Sequence, residues 1–167
     1  IKESCDVYFY NLAQRLGIEK ITNMALRLGF GKNFDLISNS ERDGLIPTKR
    51  WIENNLNNDW SLGDTIVAGI GQGFVLTTPL QLAVMTARIA NRKYAVKPRL
   101  QAVEAGLDSF TFPPLDIAPE IIDVLHRGMR AVTNGSRGTA RKYDLAKQGM
   151  AGKTGTVQVK RITKEQR

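Results

Sequence analysis

The sequence predicts a mixed α/β (α+β) chain, mostly helices with one strand near its C-terminal end. Three observations carry this reading. Apolar residues recur at helical spacing in several segments, Thr78-Pro79-Leu80-Gln81 is a complete helix-start signal, and Val157-Gln158-Val159-Lys160 alternates with period two. With 167 residues, 42% hydrophobic and 24% charged, the composition is that of a folded chain with a sizeable core.

Phe9, Leu12, Ala13 and Leu16 share one helical face, which predicts a helix from about Asp6 to Leu16, with Gly17 as a left-handed cap. Ile18, Ile21, Ala25 and Leu28 repeat the pattern up to Gly29, so the two helices form a hairpin. From Phe30 to Asp64 the chain is polar and irregular, with one short helix expected at Lys49 to Asn54. At Thr78 the N-cap threonine, the N1 proline and glutamine at N3 form a capping box. The helix behind it, expected to run to about Asn91, carries Leu82, Met85, Thr86 and Ile89 on its presumed core face, with Ala83, Ala87 and Ala90 allowing close packing. Tyr94 to Val103 reads as extended. A last helix begins near Pro119, with Ile121, Ile122, Val124, Leu125, Met129 and Val132 as its stripe, and ends at Asn134-Gly135.

Composition also limits function. The net charge of +8 comes from dispersed residues, with no basic stripe interleaved with aromatics, so a nucleic-acid partner is not expected. A dispersed positive surface suits an acidic polymer or anionic headgroups instead. No apolar run approaches the roughly 20 residues of a membrane helix, and no signal peptide opens the sequence. Cys5 is the one cysteine, so no internal disulfide can form, and His126, the one histidine, reads as a helix-surface residue. The abrupt start inside helix-like sequence suggests a piece of a larger protein.

Chemistry concentrates at the two ends. Ala151-Gly152-Lys153-Thr154-Gly155-Thr156 offers a cation, two hydroxyls and bare backbone N–H groups to one small anion. Ser4-Cys5-Asp6 opens the first helix, where Ser and Asp also suit an ordinary N-terminus. Between them lie Pro47-Thr48-Lys49-Arg50-Trp51, Gly63-Asp64-Thr65, Gly69-Ile70-Gly71-Gln72-Gly73, Thr77-Thr78-Pro79-Leu80-Gln81-Leu82-Ala83 and Gly138-Thr139-Ala140. This ordered set resembles the class B penicillin-binding proteins, and more narrowly their elongation-type branch, penicillin-binding protein 2, over essentially the whole chain.

The resemblance implies a partial serine transpeptidase or β-lactamase-like fold: most of the α-helical lobe plus the strand carrying Lys153, with residues 1–167 forming an incomplete transpeptidase domain. It implies that Ser4 shuttles a proton in acyl transfer and that Lys153 tunes Ser4 and attracts the substrate carboxylate. Thr154, Gly155 and Thr156 would line the substrate strand, with the Thr156 N–H as half of an oxyanion hole. Asp6 stands where the wider family has Asn, and a carboxylate cannot donate as an amide does. The nucleophile is expected upstream, because none of Ser4, Ser38, Ser40, Ser61, Ser109 and Ser136 is followed three residues later by lysine.

The implied partners are peptidoglycan stem peptides, β-lactams and membrane proteins of cell elongation. The implied location is periplasmic, on an inner-membrane anchor outside this sequence. No cofactor is required; by analogy with some relatives, Cys5 is a candidate ligand of a structural zinc in the full-length protein. A β-lactam-sensing or non-catalytic penicillin-binding domain is the alternative.

Overall fold

The computed structural model describes residues 1–36, 41–101 and 111–157. The end of the extended segment, 102–103, and the alternating run beyond Val157 lie outside the described residues. Six α-helices follow in order: α1 (Asp6–Leu16), α2 (Ile18–Leu28), α3 (Lys49–Leu56), α4 (Leu62–Ala68), α5 (Pro79–Asn91) and α6 (Pro119–Asn134). Two short 3-10 turns, Arg141–Tyr143 and Leu145–Gln148, come after α6. The chain divides into two compact units, one spanning Asp6–Ile122 and the other joining Ile1–Cys5 to the chain from Asp123 onward.

In the larger unit, α1 packs on α2 and α4, and α2 packs on α5. Gly69, just past α4, permits the contact between α1 and α4, because a Cβ there would overlap the Ala13 Cβ of α1. Gly29 adopts the expected left-handed cap with φ 102°. Gly17 does not: its φ of 74° and ψ of 160° lie in a region that glycine alone uses freely, and it serves as N-cap of α2. The break between the two helices therefore depends on glycine, through a different conformation from the one expected.

The stretch from Phe30 to Asp64 holds more order than its polarity suggests. α3 runs to Leu56, two residues beyond Asn54, after Thr48 Oγ1 accepts a bond from Trp51 N. α4 stands where the sequence pattern predicts no helix, and Ser61 and Asp64 form a reciprocal capping box at its start. Among the described residues there is no named strand. Two isolated antiparallel bridges, Leu45 with Leu76 and Tyr94 with Pro114, tie the loops together.

The capping box of α5 forms as expected, but its glutamine does a second job. Gln81 is 1% exposed, and its Nε2 donates to Lys32 O at 2.9 Å and Asp43 O at 2.7 Å. Gly44 completes this lock with φ 64°: a Cβ there would come within 2.5 Å of Leu76 O and 2.8 Å of Gln81 Oε1.

The buried face of α5 overlaps the apolar stripe only in part: Ile89 is buried as expected and Met85 is half-buried. Gln81, Val84, Arg88 and Ile89 are buried, while Leu82 is 42% exposed and Thr86, Ala83, Ala87 and Ala90 face outward. Backbone acceptors explain the polar residues on the buried face. Arg88 donates to Val96 O at 3.1 Å and Arg27 O at 2.7 Å, so its guanidinium can be buried with its donors used. That burial pushes the Arg88 guanidinium below its ordinary pKa.

The stripe of α6 likewise spans two faces. Ile122 and Val132 are fully buried, whereas Ile121 and Val124 are more than half exposed. Leu125 and Met129 lie between these extremes, on the line of the buried pair.

Gln81→Leu keeps the side-chain volume but leaves the Lys32 and Asp43 carbonyls without their shared donor. It is expected to destabilise the protein by about 2 kcal/mol. A lowered denaturation midpoint at unchanged slope is the measurement that checks it.

Candidate active site

The smaller unit is assembled on the C-terminal part of α6. Gly128 lets the N-terminal segment approach, since a Cβ there would stand 2.7 Å from Ile1 Cδ1. Lys2 O accepts a bond from Thr139 N at 3.3 Å, and Glu3 pairs with Arg137 at 3.1 Å. The segment carrying Lys153 is tied to the same helix. The buried Thr133 hydroxyl donates to Met150 O at 2.9 Å, and Gly152 N donates to Met129 O at 3.3 Å. Residues 151–157 are not assigned as a strand, because a strand is defined by its ladder and no neighbouring strand occurs among the described residues.

These ties bring together residues 149 positions apart in sequence. Lys153 Nζ donates to Ser4 Oγ at 2.7 Å. It also donates to Thr154 O at 2.6 Å and to Thr154 Oγ1 at 3.3 Å, so the three N–H groups of one ammonium meet three oxygen acceptors. The hydroxyls extend the network: Ser4 Oγ lies 3.4 Å from Thr154 Oγ1, which lies 3.0 Å from Thr139 Oγ1. No carboxylate pairs with Lys153 among the described residues. Its charge stays unneutralised at an exposed position, where it can attract an anionic ligand.

Ser4 carries a feature that its residue type does not reveal. Its φ is 49°, the left-handed region that side-chain-bearing residues rarely occupy. Such a conformation costs on the order of 1–2 kcal/mol and is retained where the surroundings hold it. Here a turn bond from Ser4 N to Ile1 O and the contact to Lys153 hold it.

The other expected site residues are placed as follows. Thr154 is half-buried inside the network, and Gly155 and Thr156 follow it at exposed positions. Asp6 is the first residue of α1, exposed in its first turn, and belongs to the larger unit. Cys5 is a free, exposed thiol. The described residues contain no cluster of three His, Cys, Asp or Glu side chains able to hold a metal. One thiol falls short of the four ligands of a structural zinc site, so these residues do not fit the zinc expectation on their own. Thr139, noted in the sequence only as part of Gly138-Thr139-Ala140, is a site residue that residue type alone could not single out.

A cation donating to a serine hydroxyl, flanked by threonine hydroxyls, is the arrangement of serine acyl-transfer enzymes that act without metal or histidine. Residues 1–167 match the penicillin binding protein transpeptidase domain. The chain belongs to the penicillin-binding protein transpeptidase family. Among its relatives are the peptidoglycan D,D-transpeptidases MrdA of Haemophilus influenzae and Salmonella typhimurium, 36% and 34% identical over 95% of this chain. The chain spans 26% and 27% of their respective lengths, about a quarter.

Solved structures agree with that placement. Pseudomonas aeruginosa PBP2, in complex with WCK 5153, is 38% identical and superimposes with a TM-score of 0.75, covering 83% of this chain and 31% of that one. Helicobacter pylori PBP2 in complex with MreC is 34% identical, with a TM-score of 0.70, covering 85% of this chain and 26% of that one. The expected fold, a helix-rich part of the transpeptidase domain, is therefore the fold observed.

Ser4→Gly and Ser4→Ala both delete the hydroxyl, but only glycine relieves the positive φ. In the full-length protein, Ser4→Gly is expected to be more stable than Ser4→Ala by about 1 kcal/mol. Thermal unfolding of the two variants side by side checks this.

Proposed function

We propose that this chain is the part of a peptidoglycan D,D-transpeptidase that supplies the proton-shuttling serine and the substrate-binding Lys-Thr-Gly segment. The observation that carries the reading is the 2.7 Å bond from Lys153 Nζ to Ser4 Oγ. In the proposed reaction, a serine of the parent protein attacks the carbonyl of a D-Ala-D-Ala stem peptide. The peptide C–N bond breaks, D-alanine leaves and an acyl-enzyme remains. An amine of a neighbouring strand then attacks the ester and regenerates the serine.

The first step needs a proton delivered to the leaving nitrogen, and the second needs one removed from the attacking amine as the serine oxygen takes one up. Ser4 is suited to this because it accepts a hydrogen bond from a cation while its own O–H remains available to donate. Lys153, unpaired with any acid among the described residues, supplies the field that draws the terminal carboxylate of the stem peptide. The Thr154 and Thr156 hydroxyls bind that carboxylate, and the Thr156 N–H faces the developing oxyanion. A preorganised donor of that kind is worth about 3–4 kcal/mol of barrier. No step calls on a cofactor.

β-Lactams enter the same site as acylating mimics of the stem peptide. The working place of the parent protein is the periplasmic face of the inner membrane; no helix among the described residues is long and apolar enough to cross a membrane. Its partners there are membrane proteins of cell elongation, a reading supported by the relative that was solved in complex with MreC.

Covalent labelling of the full-length protein by a fluorescent penicillin tests the proposal. Lys153→Met is expected to slow labelling at least a thousandfold, and Ser4→Ala by about a hundredfold or more, the range of a lost proton-transfer group. A wild-type protein that takes up no label, or a Lys153→Met variant labelled at the wild-type rate, overturns the reading.

A further inference from the structure

The carboxylate-binding hydroxyl of Thr154 has a neighbour to which the proposed chemistry gives no part. Thr139 Oγ1 stands 3.0 Å from Thr154 Oγ1. Its backbone is anchored: Thr139 N donates to Lys2 O, and on either side Gly138 N donates to Gly135 O and Ala140 N to Val132 O. Gly138 lies so close to the carbonyls of Ala131 and Val132 at the end of α6 that it has no room for a Cβ. Thr139 is therefore presented to Thr154 by the helix terminus rather than by a free loop.

The direction of the bond between the two threonines follows from what else surrounds Thr154 Oγ1. Lys153 Nζ and Ser4 Oγ are 2.7 Å apart and stand 3.3 and 3.4 Å from that oxygen. Seen from it they lie only about 50° apart, so they compete for a single tetrahedral position. The donor-only ammonium fills that position, and the Thr154 hydrogen cannot also point there. Two positions remain, one facing Thr139 and one left for a ligand. In the proposed reaction the Thr154 hydrogen goes to the substrate carboxylate, because a charged acceptor binds it more strongly than a neutral hydroxyl does. The position facing Thr139 is then a lone pair that needs a donor, and the Thr139 hydroxyl stands at bonding distance.

We propose that Thr139 is a positioning residue for the substrate carboxylate: its hydroxyl donates to Thr154 Oγ1 and turns the Thr154 hydrogen to the carboxylate. With Lys153 and Thr139 on its two lone pairs, Thr154 has one place left for its own hydrogen. The bonds run in one direction, from Thr139 to Thr154 to the carboxylate, and each polarises the next. This rests on Thr154 binding the carboxylate, as proposed above.

The test uses the full-length protein and two probes, a fluorescent penicillin with its free carboxylate and the methyl ester of the same compound. Acylation rates are read for both, with thermal unfolding as a check on folding. Thr139→Val is expected to slow acylation by the free acid about fivefold to tenfold, the scale of one neutral hydrogen bond, and by the ester less than about twofold. Thr139→Ser, which keeps the donor, is expected to restore the free-acid rate to within about threefold. In a Thr154→Val background, where no hydroxyl remains to be turned, adding Thr139→Val is expected to change nothing further. Thr139→Ala repeats the measurement if the valine variant does not fold, and the Thr154→Val cycle decides alone if the ester reacts too slowly to follow.

Three results overturn the inference while leaving the transpeptidase reading intact. One is a Thr139→Val variant as fast as wild type with the free acid. Another is an equal loss with acid and ester, which would make Thr139 a support of the fold rather than of carboxylate binding. The third is a loss that persists in full without the Thr154 hydroxyl, which would make Thr139 bind the carboxylate itself. A wild-type protein that takes up no label removes the transpeptidase reading, and this inference with it.

Discussion

The contact between the Lys153 ammonium and the Ser4 hydroxyl is the constraint around which the smaller unit is organised. Neither residue is fixed by a ladder or a long helix of its own. Each sits on a short segment that would fray if released, and each is tied to α6 or the turn after it. The N-terminal segment uses Lys2 O and Glu3, and the Lys153 segment uses Met150 O and Gly152 N. α6 thus acts as a common base, and an error in either attachment would be read directly as a change in the Lys153–Ser4 distance. Because hydrogen bonds weaken steeply with distance, a displacement of 1 Å would remove the interaction.

The glycines around α6 follow from the same need. Gly128 and Gly138 are small because backbone or an N-terminal side chain passes where a Cβ would stand. In the larger unit, Gly69 and Gly44 do the same work between helices and loops. Close approach is a recurring device in this chain, and it costs chain entropy at each position. The polar lock at Gln81 fits this pattern: one side chain caps α5 and satisfies two loop carbonyls, where an apolar residue would leave them bare.

Much of the fold was legible because its signals are local. α1, α2, α5 and α6 could be bounded from periodicity, glycine and the Thr78 capping box, since caps and stripes act within a few residues. Asp64 closes a polar, irregular stretch of sequence, and that setting hides the Ser61–Asp64 box that starts α4. What failed in part was the choice of face on α5. Apolar residues mark a buried face only when polar ones lack partners, and Gln81 and Arg88 find theirs in backbone carbonyls 49 and 61 positions away, respectively. At the site, Lys153 and Thr154 are legible as a cation beside hydroxyls and bare glycines, whereas Ser4, which also suits an ordinary helix start, is legible only through the family resemblance. The left-handed φ of Ser4 and the Thr139 contact are not legible, since both are set by tertiary packing.

The network around Lys153 is built largely from hydroxyls, running from Ser4 through Thr154 to Thr139. Among the described residues the network around Lys153 contains no imidazole and no carboxylate; it is made of hydroxyls, one carbonyl and one amine. A hydroxyl differs from an imidazole in one respect that bears on this: its hydrogen rotates freely about the C–O bond and takes whichever acceptor is nearest. A chain of such groups has many hydrogen arrangements of similar energy, and a fixed donor such as the Lys153 ammonium narrows them, because each hydroxyl it donates to must aim its own hydrogen elsewhere. The anchoring of Thr139 on the end of α6 fixes where its oxygen stands beside Thr154, whereas the direction of each O–H bond in the network follows from its acceptors and from the Lys153 ammonium.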